Sequence, residues 1–241
     1  MSAALHIDDV SKSFRGLRAV QNVSFDVPQG AIHAVIGPNG AGKTTLFNLI
    51  AGAFKPDKGA IKLGERRLDG LRPDQVCAAG VGRTFQIVKP FKTLTVEQNV
   101  TIGALHRTRD VAEARDQARS ILEQLGLFEM RTMLASNLTL PDRKRLEVAR
   151  ALATEPSLLL LDEVMAGLRP TETDHMVAFL RQLNARTGVT ILLIEHVMRA
   201  VMALSQHIVV LHHGEKIAEG GPTEIVRNKA VLDVYLGEAT P

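Results

Sequence analysis

A chain of 241 residues with 45% hydrophobic content suits one globular unit, or one core carrying an inserted subdomain, and excludes a second independent enzyme. The net charge of +3 comes from Lys and Arg alternating with Asp and Glu, a solvated surface rather than the clustered patch that nucleic-acid binding needs. A single cysteine cannot form an internal disulfide, the opening MSAALHIDD, without a basic and then apolar region, leads us to expect a cytosolic chain, and the apolar runs break well short of the roughly 20 residues that cross a bilayer.

Short apolar segments bounded by turn residues come first: LHIDDVSKSF, then VSFDV closed by Pro28, Gln29 and Gly30, then AIHAVIG, all expected as strands. The third runs into Gly37-Pro38-Asn39-Gly40-Ala41-Gly42-Lys43-Thr44, which fits the phosphate-binding pattern G-x-x-x-x-G-K-[ST] between a strand and a helix. Glycines there let the backbone curl so that successive N–H groups point at phosphate oxygens. The helix N-terminus adds positive partial charge, Lys43 reaches the β- and γ-phosphates, and the Thr44 hydroxyl ligates Mg²⁺. By average residue usage the pattern arises by chance in roughly one chain of this length in a hundred.

After Gly42 a helix is expected, with Leu46, Leu49, Ile50 and Phe54 on one face, and GAIKLGERRL returns to strand character. Residues 95–154 carry apolar side chains at helical spacing, among them Val111, Ala114, Ala118, Ile121, Leu122 and Leu125, and predict a mostly helical insert. From 157 onward strands and helices alternate: SLLLLDEV, a helix after Thr171, VTILLIEH, a helix from Met198 to Leu204, then HIVVLHHGEKIAEG. Strands that are apolar throughout imply burial on both faces, hence a parallel sheet covered by helices.

A magnesium nucleotide site needs an acid at the end of a neighbouring strand, and the run Leu158 to Leu161 ends in Asp162 and Glu163. Asp162 suits Mg²⁺, and Glu163, turned to the other side, suits orientation or deprotonation of the attacking water. His196 follows another apolar run, at a strand terminus where α/β proteins place ligand contacts. Gln86 in GRTFQ would by itself pass for a surface amide. A guanine-reading N-K-x-D element is missing: Asn228 and Lys229 are followed by Ala230 and Val231.

These motifs resemble the ATP-binding subunits of ABC transporters, and within them those of branched-chain amino-acid importers. GPNGAGKTT resembles the family's Walker A, LLLLDE its Walker B with the catalytic glutamate, RTFQ its Q-loop and LLIEH its switch histidine. Phe14, in VSKSF, matches the aromatic on which the family stacks adenine. RTFQ with PF and LTVEQNV downstream, ARALATEPSLLLLDE running into AGLRPTE, and IAEGGPTEIV are similar to the branched-chain group in particular.

The resemblance implies an α/β P-loop NTPase of the ABC ATPase kind. A RecA-like core would span 1–86 and 155–241, with an N-terminal antiparallel β element, and a mostly helical subdomain 87–154. It implies ATP and Mg²⁺ as ligands: Phe14, Gly37, Pro38, Asn39, Gly40, Ala41, Gly42, Lys43, Thr44 and Thr45 around the nucleotide, and Thr44, Gln86 and Asp162 around the metal. Glu163, His196 and Gln86 would take the catalytic roles. It further implies two ATP-binding subunits facing head to tail, each ATP held between the P-loop of one and the signature loop of the other. Two integral membrane permeases at the cytoplasmic face of the inner membrane and an extracellular solute-binding protein would complete the system, with no nucleic acid. A DNA-repair or translation ABC protein usually joins two ATPase units or carries long coiled coils, for which 241 residues leave no room.

The family's signature, Leu-Ser-Gly-Gly-Gln or in this branch often Leu-Ser-Tyr-Gly-Gln, falls on Leu138-Thr139-Leu140-Pro141-Asp142. Only the first two positions are kept in kind. The fourth-position glycine of the family gives a backbone N–H to the γ-phosphate of the opposite site, and Pro141 has none to give. Asp142 places negative charge at a helix N-terminus, which stabilises the helix but repels a phosphate. A heterodimer with unequal sites is therefore expected, the partner carrying the ordinary signature. Val164, where the family usually has proline, is a second departure that leaves both acids in place. Two competing readings are an ATP-binding regulatory switch with little turnover and the ATPase of an exporter.

Overall fold

The computed structural model describes residues 3–84 and 90–237; Gln86 lies outside the described residues. Strands β1 (Ala3–Phe14) and β2 (Leu17–Pro28) form a hairpin, and β3 (Ile32–Ile36) leads through the glycine-rich loop into α1 (Lys43–Ile50). Strands β4 (Lys58–Leu63) and β5 (Arg66–Arg67) complete an antiparallel sheet of order β2-β1-β4-β5. Then come α2 (Pro73–Ala78), β6 (Val81–Arg83) and the helices α3 (Val96–Ala104), α4 (Val111–Gln124) and α5 (Leu140–Leu152). The chain closes with β7 (Leu158–Asp162), α6 (Pro170–Thr187), β8 (Thr190–Ile194), α7 (Met198–Leu204), β9 (His207–His212), β10 (Glu215–Gly220), α8 (Pro222–Arg227) and α9 (Lys229–Gly237).

The second sheet has the order β10-β9-β3-β8-β7-β6, parallel throughout except for the β9–β10 hairpin. Every residue of β3, β7 and β8 is buried, because each strand feeds two cores. Val35, Leu158, Leu160, Leu192 and Ile194 face the antiparallel sheet and α1; Ile32, Ala34, Leu159, Leu161, Ile191 and Leu193 face α6 and α7. Such two-sided burial removes the alternation that a half-exposed strand would show. Residues 96–153 build a third core from Val96, Val100, Ala118, Leu122, Leu146 and Ala149. Helix α5 also lends Val148 and Ala151 to the sheet's core, and so packs on both.

Register positions the site. Val35 of β3 and Asp162 of β7 both pair with Ile194 of β8, so the β3–α1 loop and the segments after β7 and β8 emerge at one edge of the sheet.

Some expectations need correction. Phe54 is not on the α1 face: the helix ends at Ile50, and the Phe54 ring instead meets Phe14 edge to face, centroids 5.1 Å apart. Val111 is 54% exposed, because it opens α4 directly after Asp110, whose carboxylate caps the N–H groups of Ala112 and Glu113. Helix α6 begins at Pro170 rather than after Thr171, with proline in the first turn, where its missing N–H costs nothing. GAIKLGERRL is two strands split at Gly64 and Glu65. Elements α2, β6, α8 and α9 carried no readable period; three of the four are six residues or fewer.

One core residue makes stability depend on pH. His33, on β3 and 5% exposed, stacks on His207 at 5.1 Å, and its Nδ1 has no hydrogen-bond partner among the described residues. Burial first, then the His207 charge, lower its pKa from the ordinary 6.5 to about 4, with Glu219 opposing. The unfolded chain therefore binds the extra proton between those values. The stability contribution is complete above pH 6.5 and is lost as pH falls toward 4. Wild type should lose about 2–3 kcal/mol more than His33→Gln across this window. Equal falls in the urea midpoint of the two proteins would assign the acid sensitivity elsewhere.

Candidate functional site

The loop between β3 and α1 is shaped by close approach. A Cβ on Gly37 would strike the carbonyl oxygen of Leu211, and one on Gly42 that of Ala19; both glycines also hold positive φ, 149° and 101°. Helix α1 starts without a side-chain cap and without an acid in its first turn, so its N-terminal N–H groups are offered to an anion. Lys43, 6% exposed, donates to the carbonyls of Gly37 (2.7 Å) and Pro38 (2.8 Å). Burial lowers its pKa, while Glu163 and Asp162 favour its charge.

A cavity of about 420 Å³ opens over this loop. Its walls include Phe14, Asn39 through Thr45, Glu163 and His196, so side chains from four separate stretches of sequence converge. Gly37 and Pro38 lie at the base of the loop, outside the lining. Arg18 and His213 also border the cavity, and nothing in their local sequence marks them.

The two adjacent acids divide. Asp162, 1% exposed, accepts from Arg83 Nη2 at 3.2 Å, while its Oδ1 has no hydrogen-bond partner among the described residues. Burial pushes the Asp162 carboxyl up, with Arg83 opposing. A buried carboxylate oxygen without a donor fits a cation, and the exposed Thr44 hydroxyl is the second donor type a hard divalent ion takes. Glu163, with φ of 51°, lines the cavity whereas Asp162 does not, and its Oε1 lies 2.6 Å from His196 Nε2. With the carboxylate accepting, Nε2 carries the proton. Gln86 lies outside the described residues.

Sequence reasoning missed Arg83, a charge at the end of a three-residue strand, which also donates to Asn48 at 2.7 Å. It also missed Lys144 and Glu195, both buried; burial lowers the Lys144 pKa and pushes Glu195 up to about 7.

None of Leu138 to Asp142 lines the cavity. Thr139 is the N-cap of α5, its hydroxyl 2.6 Å from Asp142 Oδ2 and 3.4 Å from the Asp142 N–H. Pro141 occupies the first turn, Leu138 is buried, and Thr139 and Leu140 are exposed.

The profile of the ABC transporter family matches residues 20–166, and that of the branched-chain amino acid ATP-binding cassette transporter matches 215–240. The chain is 42% identical to the high-affinity branched-chain amino acid transport ATP-binding protein LivG of Salmonella typhimurium, over 98% of each chain. It is 39% identical to BraF of Pseudomonas aeruginosa, again over 98% of each, and 33% identical to the lipopolysaccharide export ATP-binding protein LptB of Acidithiobacillus ferridurans, over 99% and 98%. Among solved structures, the ADP conformation of an ATP-binding cassette superposes with a TM-score of 0.90 at 30% identity, covering 98% of this chain and all of that one.

Proposed function

The chain belongs to the family of ABC transporter ATP-binding subunits, and from that membership we propose how its site works and what it assembles with. It is an ATPase, and it energises an importer of the branched-chain amino-acid type. The match over 215–240 is particular to that branch, and identity to LivG, 42%, exceeds identity to the export subunit LptB, 33%.

In this proposal ATP lies in the cavity with adenine against Phe14 and phosphates over the loop from Gly37 to Thr45. Lys43 then exchanges its bonds to the Gly37 and Pro38 carbonyls for phosphate oxygens. Asp162, Thr44 and Gln86 are the residues that would hold Mg²⁺, which when bound neutralises charge on the β- and γ-phosphates. Glu163 orients the attacking water and takes its proton. His196 fixes the Glu163 carboxylate through the 2.6 Å contact, the observation that carries this assignment, and faces the γ-phosphate. Gln86 couples the site to the membrane subunits. The core over 1–86 and 155–241 holds the nucleotide, and 87–154 carries the signature.

The assembly we propose is a heterodimer with a second ATP-binding subunit, seated on two permeases at the cytoplasmic face of the inner membrane and supplied by an extracellular solute-binding protein. Among the described residues no helix is long and apolar enough to cross a membrane, so attachment would run through the permeases. Proteoliposomes containing the assembled system should take up labelled leucine, isoleucine or valine only with ATP on the side of this subunit and the binding protein on the other. ATP hydrolysis indifferent to every binding-protein-delivered amino acid would remove the importer reading.

A further inference from the structure

Two buried charges outside the nucleotide cavity grip the segment that carries Glu163. Lys144 of α5, 4% exposed, donates its Nζ to the Glu163 carbonyl oxygen at 2.8 Å. Glu195, 1% exposed, accepts the Met165 N–H on Oε1 at 2.8 Å. A buried ammonium is unfavourable without counter-charge, and the carboxylates of Glu195, Glu147, Glu163 and Asp162 supply it. The Glu163 backbone is thus held from two directions: its N–H donates to Ile194 O of β8 at 2.9 Å, and its carbonyl accepts from α5 through Lys144 and from the Ala166 N–H at 3.2 Å. The left-handed φ of 51° at this non-glycine residue persists only because its surroundings over-determine it.

We infer that Lys144 is a positioning residue for Glu163, tying the carboxylate's backbone to the helix that begins at Thr139, so that the placement of one signature loop sets the aim of the same chain's glutamate. The inference rests on Glu163 being the base of the proposed reaction. Lys144 lies five positions after the N-cap, on the second turn of a 13-residue helix. A helix moves as a rigid rod over that span, so a displacement at Leu140 to Asp142 arrives at the Glu163 peptide. In a head-to-tail pair that loop meets the opposite nucleotide. Lys144 would therefore let occupancy of one ATP site govern hydrolysis at the other.

The test uses the assembled transporter with ATP as substrate. Lys144→Met keeps the unbranched stem, one atom shorter, and removes the donor; it should lower kcat at least about tenfold while KM for ATP stays within about twofold, because no residue lining the nucleotide cavity has changed. Lys144→Arg, which keeps a donor, should recover most of the loss. Should Lys144→Met fail to fold because Glu195 loses its nearby positive charge, Lys144→Met combined with Glu195→Gln removes both charges and still deletes the Glu163 bond. Combined with Glu163→Gln, Lys144→Met should add little to the loss already present, since two residues acting through one group are not additive. Wild-type kcat in the folded Lys144 variants, alongside lost hydrolysis in Glu163→Gln, would overturn the positioning role alone. Wild-type hydrolysis in Glu163→Gln would remove the base and the inference with it.

Discussion

Glu163→Gln in the assembled transporter is expected to lower ATP hydrolysis by about 10²–10⁴-fold, the usual contribution of a general base, while ATP stays bound. The amide keeps the size of the side chain and can still face His196, but it cannot take a proton. The same change in the partner subunit should cost far less. This chain's own loop, acids and histidine are complete, so the site they form with an ordinary signature should carry the turnover. The opposite site would be closed by Thr139, Pro141 and Asp142. There Pro141 has no N–H, the Thr139 hydroxyl already lies 2.6 Å from the Asp142 carboxylate, and that carboxylate, only partly offset by Arg145 Nη1 at 3.6 Å, would bring like charge toward the incoming phosphate. One lost donor to a charged oxygen is worth about 1.5–3 kcal/mol, roughly ten- to 150-fold. Equal losses from the two glutamate changes, or brisk hydrolysis by this chain as a homodimer, would show that LTLPD is a working clamp.

Lys43→Ala is expected to weaken ATP binding by about 10²–10⁴-fold, since two charge-assisted contacts to phosphate oxygens at 1.5–3 kcal/mol each are lost. Calorimetry on the isolated chain reads this directly. Phe14→Ala is the internal comparison: adenine stacking worth about 1–2 kcal/mol predicts a loss of only five- to thirtyfold. Phe14 is 37% exposed and rests edge-on against Phe54, so the face left to adenine is preset by a second ring. Unchanged affinity in Lys43→Ala would displace the phosphates from this loop.

The sequence by itself determined what neighbouring residues decide. Gly37 to Thr44 match the phosphate-loop pattern contiguously, and the structure does set them between a strand and a helix. The unbroken apolar runs of β3, β7 and β8 announce a parallel sheet because both faces are covered. Pro141 and Asp142 read as good helix architecture, and Thr139 does cap α5.

Tertiary structure decided what depends on residues distant along the chain. Phe14 pairs with Phe54 rather than leaving it on α1, and Arg83 reaches Asp162 across 79 positions. His196 meets Glu163 across 33, and Lys144 finds the Glu163 carbonyl from another helix. Periodicity reports which face of an element is buried, but not which polar group on another element waits there. A charge such as Lys144 reads as solvated until packing removes the water and leaves its choice of partner to the fold.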